Sequence, residues 1–227
     1  MNVFLVPVGA GRHALYCEVR EADADPDAPP ADQSWRARLL ARFRRTVAAA
    51  EAEREREELG EQPRGRGFAR AIVRRIAEAV AEQRLLWHLR RADAACLVHP
   101  TTMPGAEALG MARAEFAADY RKHLTRAVIN GIISAVVGVV LFFVPGPNLV
   151  AYYFLFLAIG HYFALRGASR GLRGVEWTTE PSSPLADIPL ALILDKAERR
   201  ARLEAITTEL GLGRLWRFVE RVAKRPA

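Results

Sequence analysis

The chain has 227 residues, 51% of them hydrophobic and 26% charged, with a net charge of +7. Two cysteines, Cys17 and Cys96, exclude a disulfide framework, and Cys96-x-x-His99 lacks the second ligand pair that structural zinc needs. Apart from Lys122, Lys196 and Lys224 the cations are arginines, interleaved with Glu on helix-like stretches rather than grouped with stacking aromatics. That pattern speaks for solvated helix faces and against nucleic acid.

The runs at 2–8 and 13–20 are rich in Val, Leu, Phe and Tyr and are separated by Gly9-Ala10-Gly11-Arg12, which predicts a β-hairpin. The glycine spacing fits no nucleotide-binding loop, and no helix follows it. The N-terminus lacks the basic and apolar regions of a secretory signal. Its early acids, from Glu18 and Glu21 to Asp32, are unlike a mitochondrial transit peptide. Residues 22–33 read as an acidic, Pro-rich linker.

Ser34 is an N-cap candidate for a helix to about residue 59, with Trp35, Leu39, Phe43 and Val47 on one stripe. After the breakers Gly60, Pro63, Gly65 and Gly67, a second helix is expected over 68–97, carrying Ile72, Ile76, Val80 and Leu86. A third starts near Ala106 and runs through Phe116 and Tyr120. Together, 34–126 reads as a cytoplasmic helical region, an antiparallel domain or coiled-coil-like arm.

From Ala127 to Leu165, 39 consecutive residues hold no Asp, Glu, Lys or Arg. The run splits at Pro145-Gly146-Pro147-Asn148 into apolar stretches at 127–144 and 149–165. A stretch of this length spans about 27 Å as a helix, close to the roughly 30 Å hydrocarbon core of a bilayer. The expectation is a helical hairpin in the lipid bilayer, spanning or re-entrant, rather than a hairpin buried in a soluble core. Arg113, Arg121, Lys122 and Arg126 precede the first stretch and Arg166, Arg170 and Arg173 follow the second, while the turn has no cation. By the positive-inside rule both ends face the cytoplasm, or the matrix in an organelle. Gly131 with Ala135, Ser134 with Gly138, and Gly160 with Ala164 repeat small residues at a spacing that allows close helix packing. Asn130, Ser134 and His161 are the intramembrane polar candidates; for His161, anchoring at the cytoplasmic interface by snorkelling competes with a part in proton movement.

Beyond the hairpin, 166–188 reads as a Gly-rich stretch and a Thr/Ser/Pro linker. An amphipathic helix follows from about residue 189 to 210, closed by Gly211, and a last one carries Leu215, Phe218, Val219 and Val222. The two pack together or lie on the membrane surface with Arg199, Arg200, Arg214 and Arg217 near lipid phosphates. The predicted fold is therefore mainly α, in four segments: hairpin and linker 1–33, helical region 34–126, transmembrane hairpin 127–165, and linker with amphipathic helices 166–227.

The segment from the hairpin onward resembles the mitochondrial K+-H+ exchange-related family. The carrying residues are Pro145-Gly146-Pro147-Asn148, Tyr152-Tyr153-Phe154 and His161-Tyr162-Phe163-Ala164-Leu165-Arg166-Gly167. Leu212-Gly213-Arg214-Leu215 and Val219-Glu220-Arg221 look similar as well. The resemblance covers about half the chain and implies a membrane protein linked to potassium/proton exchange across the inner membrane, with no catalytic residues to carry over. The Arg/Ala-rich composition suits a bacterial relative in the cytoplasmic membrane. A component or regulator of that exchange is expected, working as a homo-oligomer or with a separate membrane transporter; the alternative is a membrane-anchored adaptor whose cytoplasmic helices bind a protein. No nucleophile–base pair, carboxylate dyad or phosphate loop is present, so neither an enzyme nor a cofactor is expected.

Overall fold

The structure, a computed structural model, describes residues 1–9, 11–18, 85–140 and 149–223. The expected linker at 22–33, the arm at 34–84 and the turn Pro145, Gly146, Pro147 and Asn148 lie outside the described residues. What is described is mainly helical, with the predicted N-terminal hairpin in place: β1 (Asn2–Gly9) pairs antiparallel with β2 (Arg12–Tyr16). Gly9 and Gly11 supply the turn with φ of 92° and 69°, a region that side chains with a Cβ rarely enter.

The hairpin is part of a larger sheet. β3 (Ala94–Pro100) runs parallel to β1, and β4 (Glu176–Ser182) runs parallel to β3, giving the order β2-β1-β3-β4. Between β3 and β4 the chain forms α1 (Gly105–Val140) and α2 (Leu149–Arg173). After β4 come α3 (Ser183–Ala186), α4 (Ile188–Leu192), α5 (Lys196–Glu209) and α6 (Leu215–Ala223).

Alternation along the strands sends side chains to two cores. Val3, Leu5 and Leu97 join Leu86, Leu89, Ala108, Ala112, Phe116, Ala164 and Ala168. Phe4, Val6, Val8 and Val98 join Leu185, Ile188, Ala191, Leu203, Ile206, Leu215 and Val219. Helices thus cover both faces of the sheet, which explains why β1 reads as a near-continuous apolar run rather than an alternating one.

Three expectations are corrected. The helix predicted over 68–97 gives way, after a helical stretch at 85–89, to strand β3 from Ala94. Val98 and Leu97 fill opposite cores there, and pairing on both sides with β1 and β4 outweighs the helical spacing of the residues before them. The Thr/Ser/Pro linker is strand β4, an edge strand that tolerates Pro181 and carries the strand formers Trp177, Thr178 and Thr179. The single helix expected over 189–210 is two helices, because Asp195 caps α5 by accepting from the backbone N–H of Ala197 and Glu198 at 2.9 and 3.0 Å. Gly211, at φ 66°, ends α5 as expected.

The described residues divide into two compact units. The first comprises 1–9, 11–18, 85–123 and 164–223, and so contains the whole sheet; the second comprises 124–140 and 149–163.

Candidate functional site

In the first unit, α1 behaves as an ordinary core helix. Ala108, Ala112 and Phe116 recur at intervals of four and are fully buried. The Phe116 ring stacks on Trp177 at 5.7 Å, and the Trp177 indole N–H donates to the Gly171 carbonyl at 2.9 Å. A Cβ on Gly171 would stand 3.1 Å from the Phe116 ring, and one on Gly167 would overlap the backbone carbonyl of Leu86. Gly167, Ala168 and Gly171 therefore form a small-residue surface on α2 that admits the 85–89 stretch and Phe116. Arg170 donates to the Asp93 carboxylate at 2.6 Å and to the Ala92 carbonyl at 3.1 Å, tying α2 to the chain entering β3.

The second unit holds most of the charge-free run, and along α1 its burial is inverted. Leu124, Val128, Ile129, Ile132, Val136, Val139 and Val140 of α1 are all exposed, Val139 at 67%. On α2, Val150 and Tyr152 are exposed too. Among the described residues, α1 is the helix long and apolar enough to cross a membrane, and only 6% of its most apolar window is buried. A helix in a soluble core would bury that window. Exposed apolar surface of this extent marks a membrane or a partner.

The predicted polar and small residues separate by role. Ser134 donates to the Ala151 carbonyl at 2.9 Å, and a Cβ on Gly138 would lie 3.9 Å from the Ala151 methyl, so both face α2. Gly131 has open space around its Cα and Ala135 is exposed, so the small-residue stripe does not continue along that contact. Asn130 donates to the Arg126 carbonyl one turn earlier at 2.7 Å, which satisfies its amide inside its own helix. Gly160 is buried in the second unit, whereas Ala164, paired with it as a candidate for close helix contact within the hairpin or between copies, is fully buried in the core of the first. His161 is only 7% exposed, so its imidazole is packed against protein.

Of the flanking cations, Arg121, Lys122, Arg126, Arg166 and Arg173 are exposed, and Arg170 is taken up by Asp93. Cys96 and His99 lie in β3 at odd spacing and so point to opposite sheet faces, which rules them out as a shared ligand pair. No metal-binding group of His, Cys, Asp and Glu occurs among the described residues. Sequence reasoning missed Gly167, Gly171 and Trp177, although the four-residue spacing of the two glycines was a legible sign of a close helix contact.

Residues 2–172 match the sequence profile of the mitochondrial K+-H+ exchange-related family. The chain belongs to that family. The matched region contains β1, β2, β3, α1 and almost all of α2, and ends before β4 and the helical layer that follows it. No curated protein and no solved structure matches the chain. Family membership and the exposed apolar helix together point to a membrane location.

Proposed function

We propose that this chain is an integral membrane component or regulator of potassium/proton exchange and not an enzyme. The observation that carries the reading is the exposed apolar side of α1 between Leu124 and Val140, in a chain of a family described by K+-H+ exchange. The hydrogen bond from Ser134 to Ala151 supports a paired arrangement of α1 and α2 in the bilayer, with α2 up to about residue 163 as the second membrane segment, since Ala164 belongs to the first core. The cations at Arg113, Arg121, Lys122, Arg126, Arg166, Arg170 and Arg173, with none in the turn, favour both termini on the cytoplasmic side. The Arg/Ala-rich composition favours the cytoplasmic membrane of a bacterium.

Two helices enclose no polar path, and the run offers no carboxylate at depth, so exchange requires a homo-oligomer or a separate transporter. Reconstitution into potassium-loaded vesicles tests this: proton flux that depends on a potassium gradient is expected from the chain with its co-purifying partner or as an oligomer. A stable partner with no flux would establish the adaptor reading instead. Alkaline phosphatase fused after residue 148 should be active in a bacterial host, and fusions after 173 and 227 silent; an active fusion after 227 contradicts the topology.

A further inference from the structure

We infer that Lys122 and Arg126 of α1 form a binding site for the phosphate of an anionic lipid headgroup, an inference that rests on the membrane reading above. Both side chains are exposed and stand one helical turn apart, about 6 Å along the axis. Ile129, Val136 and Val140 continue the same side of α1 at helical spacing and are exposed as well. One side of the helix therefore passes without a break from cations to aliphatic side chains, the order in which a bilayer presents phosphates and acyl chains. The local charge is positive: over 118–130 the chain carries Arg121, Lys122 and Arg126 against Asp119 alone, and extending the count back to 113 adds one cation and one acid. Among the described residues neither Lys122 nor Arg126 makes a hydrogen bond or ion pair through its side chain.

Arg170 of α2 has an acid of its own in Asp93, whereas Lys122 and Arg126 are left unpaired where the charge-free run begins at Ala127. Beside hydrocarbon the attraction between a cation and a phosphate is screened less than in water. The Arg126 guanidinium can hold two phosphate oxygens, and the Lys122 ammonium adds a second positive charge. On α2 the same order recurs, with Tyr162 48% exposed and the exposed Arg166 one turn later. An aromatic followed by a cation is the pattern of headgroup depth. A free phosphate ion would leave the adjoining aliphatic side uncovered, whereas a lipid covers the cations and that side together.

The test uses the full chain with Cys17 and Cys96 replaced by Ser and a fluorescent dye on Ile129→Cys, one turn beyond Arg126, or on Val140→Cys, next to the turn that has no cation. The chain is reconstituted in vesicles of phosphatidylcholine and phosphatidylglycerol, with a nitroxide near the headgroup end of the acyl chain of one lipid or the other. At equal mole fraction, labelled phosphatidylglycerol should quench Ile129→Cys about fivefold more effectively than labelled phosphatidylcholine, with parity at Val140→Cys. Lys122→Gln with Arg126→Gln should abolish the preference while Val140→Cys stays quenched, and Lys122→Arg with Arg126→Lys should retain it. Equal quenching of Ile129→Cys by the two lipids overturns the site and leaves the membrane reading intact, as does a preference that survives the glutamine pair. Quenching at Val140→Cys with none at Ile129→Cys assigns that side to a protein, including a second copy, and also overturns the site. No quenching at either position removes the membrane reading and the site with it.

Discussion

One helix passes through two environments with the same periodicity. Ala108, Ala112 and Phe116 of α1 are spaced by four and buried; Leu124, Val128, Ile132, Val136 and Val140 continue that spacing and are exposed. Helical spacing therefore identifies the helix but not the medium its apolar side meets. Charge supplies the missing information. Between 105 and 123, Glu107, Arg113, Glu115, Asp119, Arg121 and Lys122 make the helix amphipathic, with a core side and a water side. Between 124 and 140 only Arg126 is charged, so no side prefers water and the burial that satisfies the first half is not needed to hide the second.

This contrast can be broken by mutation. The largest effect is expected from Phe116→Ala, which empties a fully buried site beside Trp177 and should cost about 4 kcal/mol in urea unfolding of the detergent-solubilised chain, followed by tryptophan emission. Ile132→Ala should leave that transition near its wild-type midpoint; a comparable loss would mean that Ile132 is buried against protein. Next in size is Gly167→Ala, where the new Cβ meets the Leu86 backbone and should cost about 2–3 kcal/mol. The matching change in the apolar half, Gly131→Ala, enters open space and should be neutral within about 0.5 kcal/mol.

A smaller effect is expected at Glu18. Its carboxylate accepts from the backbone N–H of Gly213 and Arg214 at 3.0 and 3.2 Å and from the Tyr16 hydroxyl at 3.0 Å, just ahead of α6. Burial and that carboxylate raise the Tyr16 hydroxyl well above its ordinary range, so it stays a donor. Glu18→Gln should cost about 1 kcal/mol in the same unfolding measurement, as for loss of a helix cap. An unchanged midpoint would show that the clasp does not hold α6.

The smallest effect is a pH dependence. Burial lowers the pKa of the His13 imidazole, opposed by its bond to the Gly11 backbone and by the Glu107 carboxylate. The unfolded chain then binds the proton more readily than the folded one. Stability contributed by His13 is full above its ordinary value of about 6.5 and declines as pH falls below it. His13→Gln should flatten the unfolding midpoint between about pH 6.5 and 5 relative to wild type. A steeper wild-type loss that persists in the variant would assign the dependence to other groups.

The hairpin, the start of α1, the charge-free run and the end of α5 at Gly211 were all legible, because each is written in local residues. β3 and β4 were not. Ala94-Ala95-Cys96 continues a helical pattern locally, and Glu176 to Pro181 looks like a linker; only pairing across the sheet, Leu97 with Val3 and Thr179, makes them strands. The contacts of Arg170 and Ala164 were hidden for the same reason: along the chain they flank or end the charge-free run, while in space they meet Asp93 and the first core.

The central claim, that the apolar half of α1 lies in lipid, is tested most directly by a nitroxide on Ile132→Cys in the reconstituted chain, with power saturation by oxygen and by a water-soluble nickel chelate. High oxygen accessibility with little access to nickel is the predicted result, since exposed side chains in the hydrocarbon core meet dissolved oxygen and not polar solutes. High nickel accessibility, or protection from both reagents, would contradict it: the first would place Ile132 in water, the second inside protein.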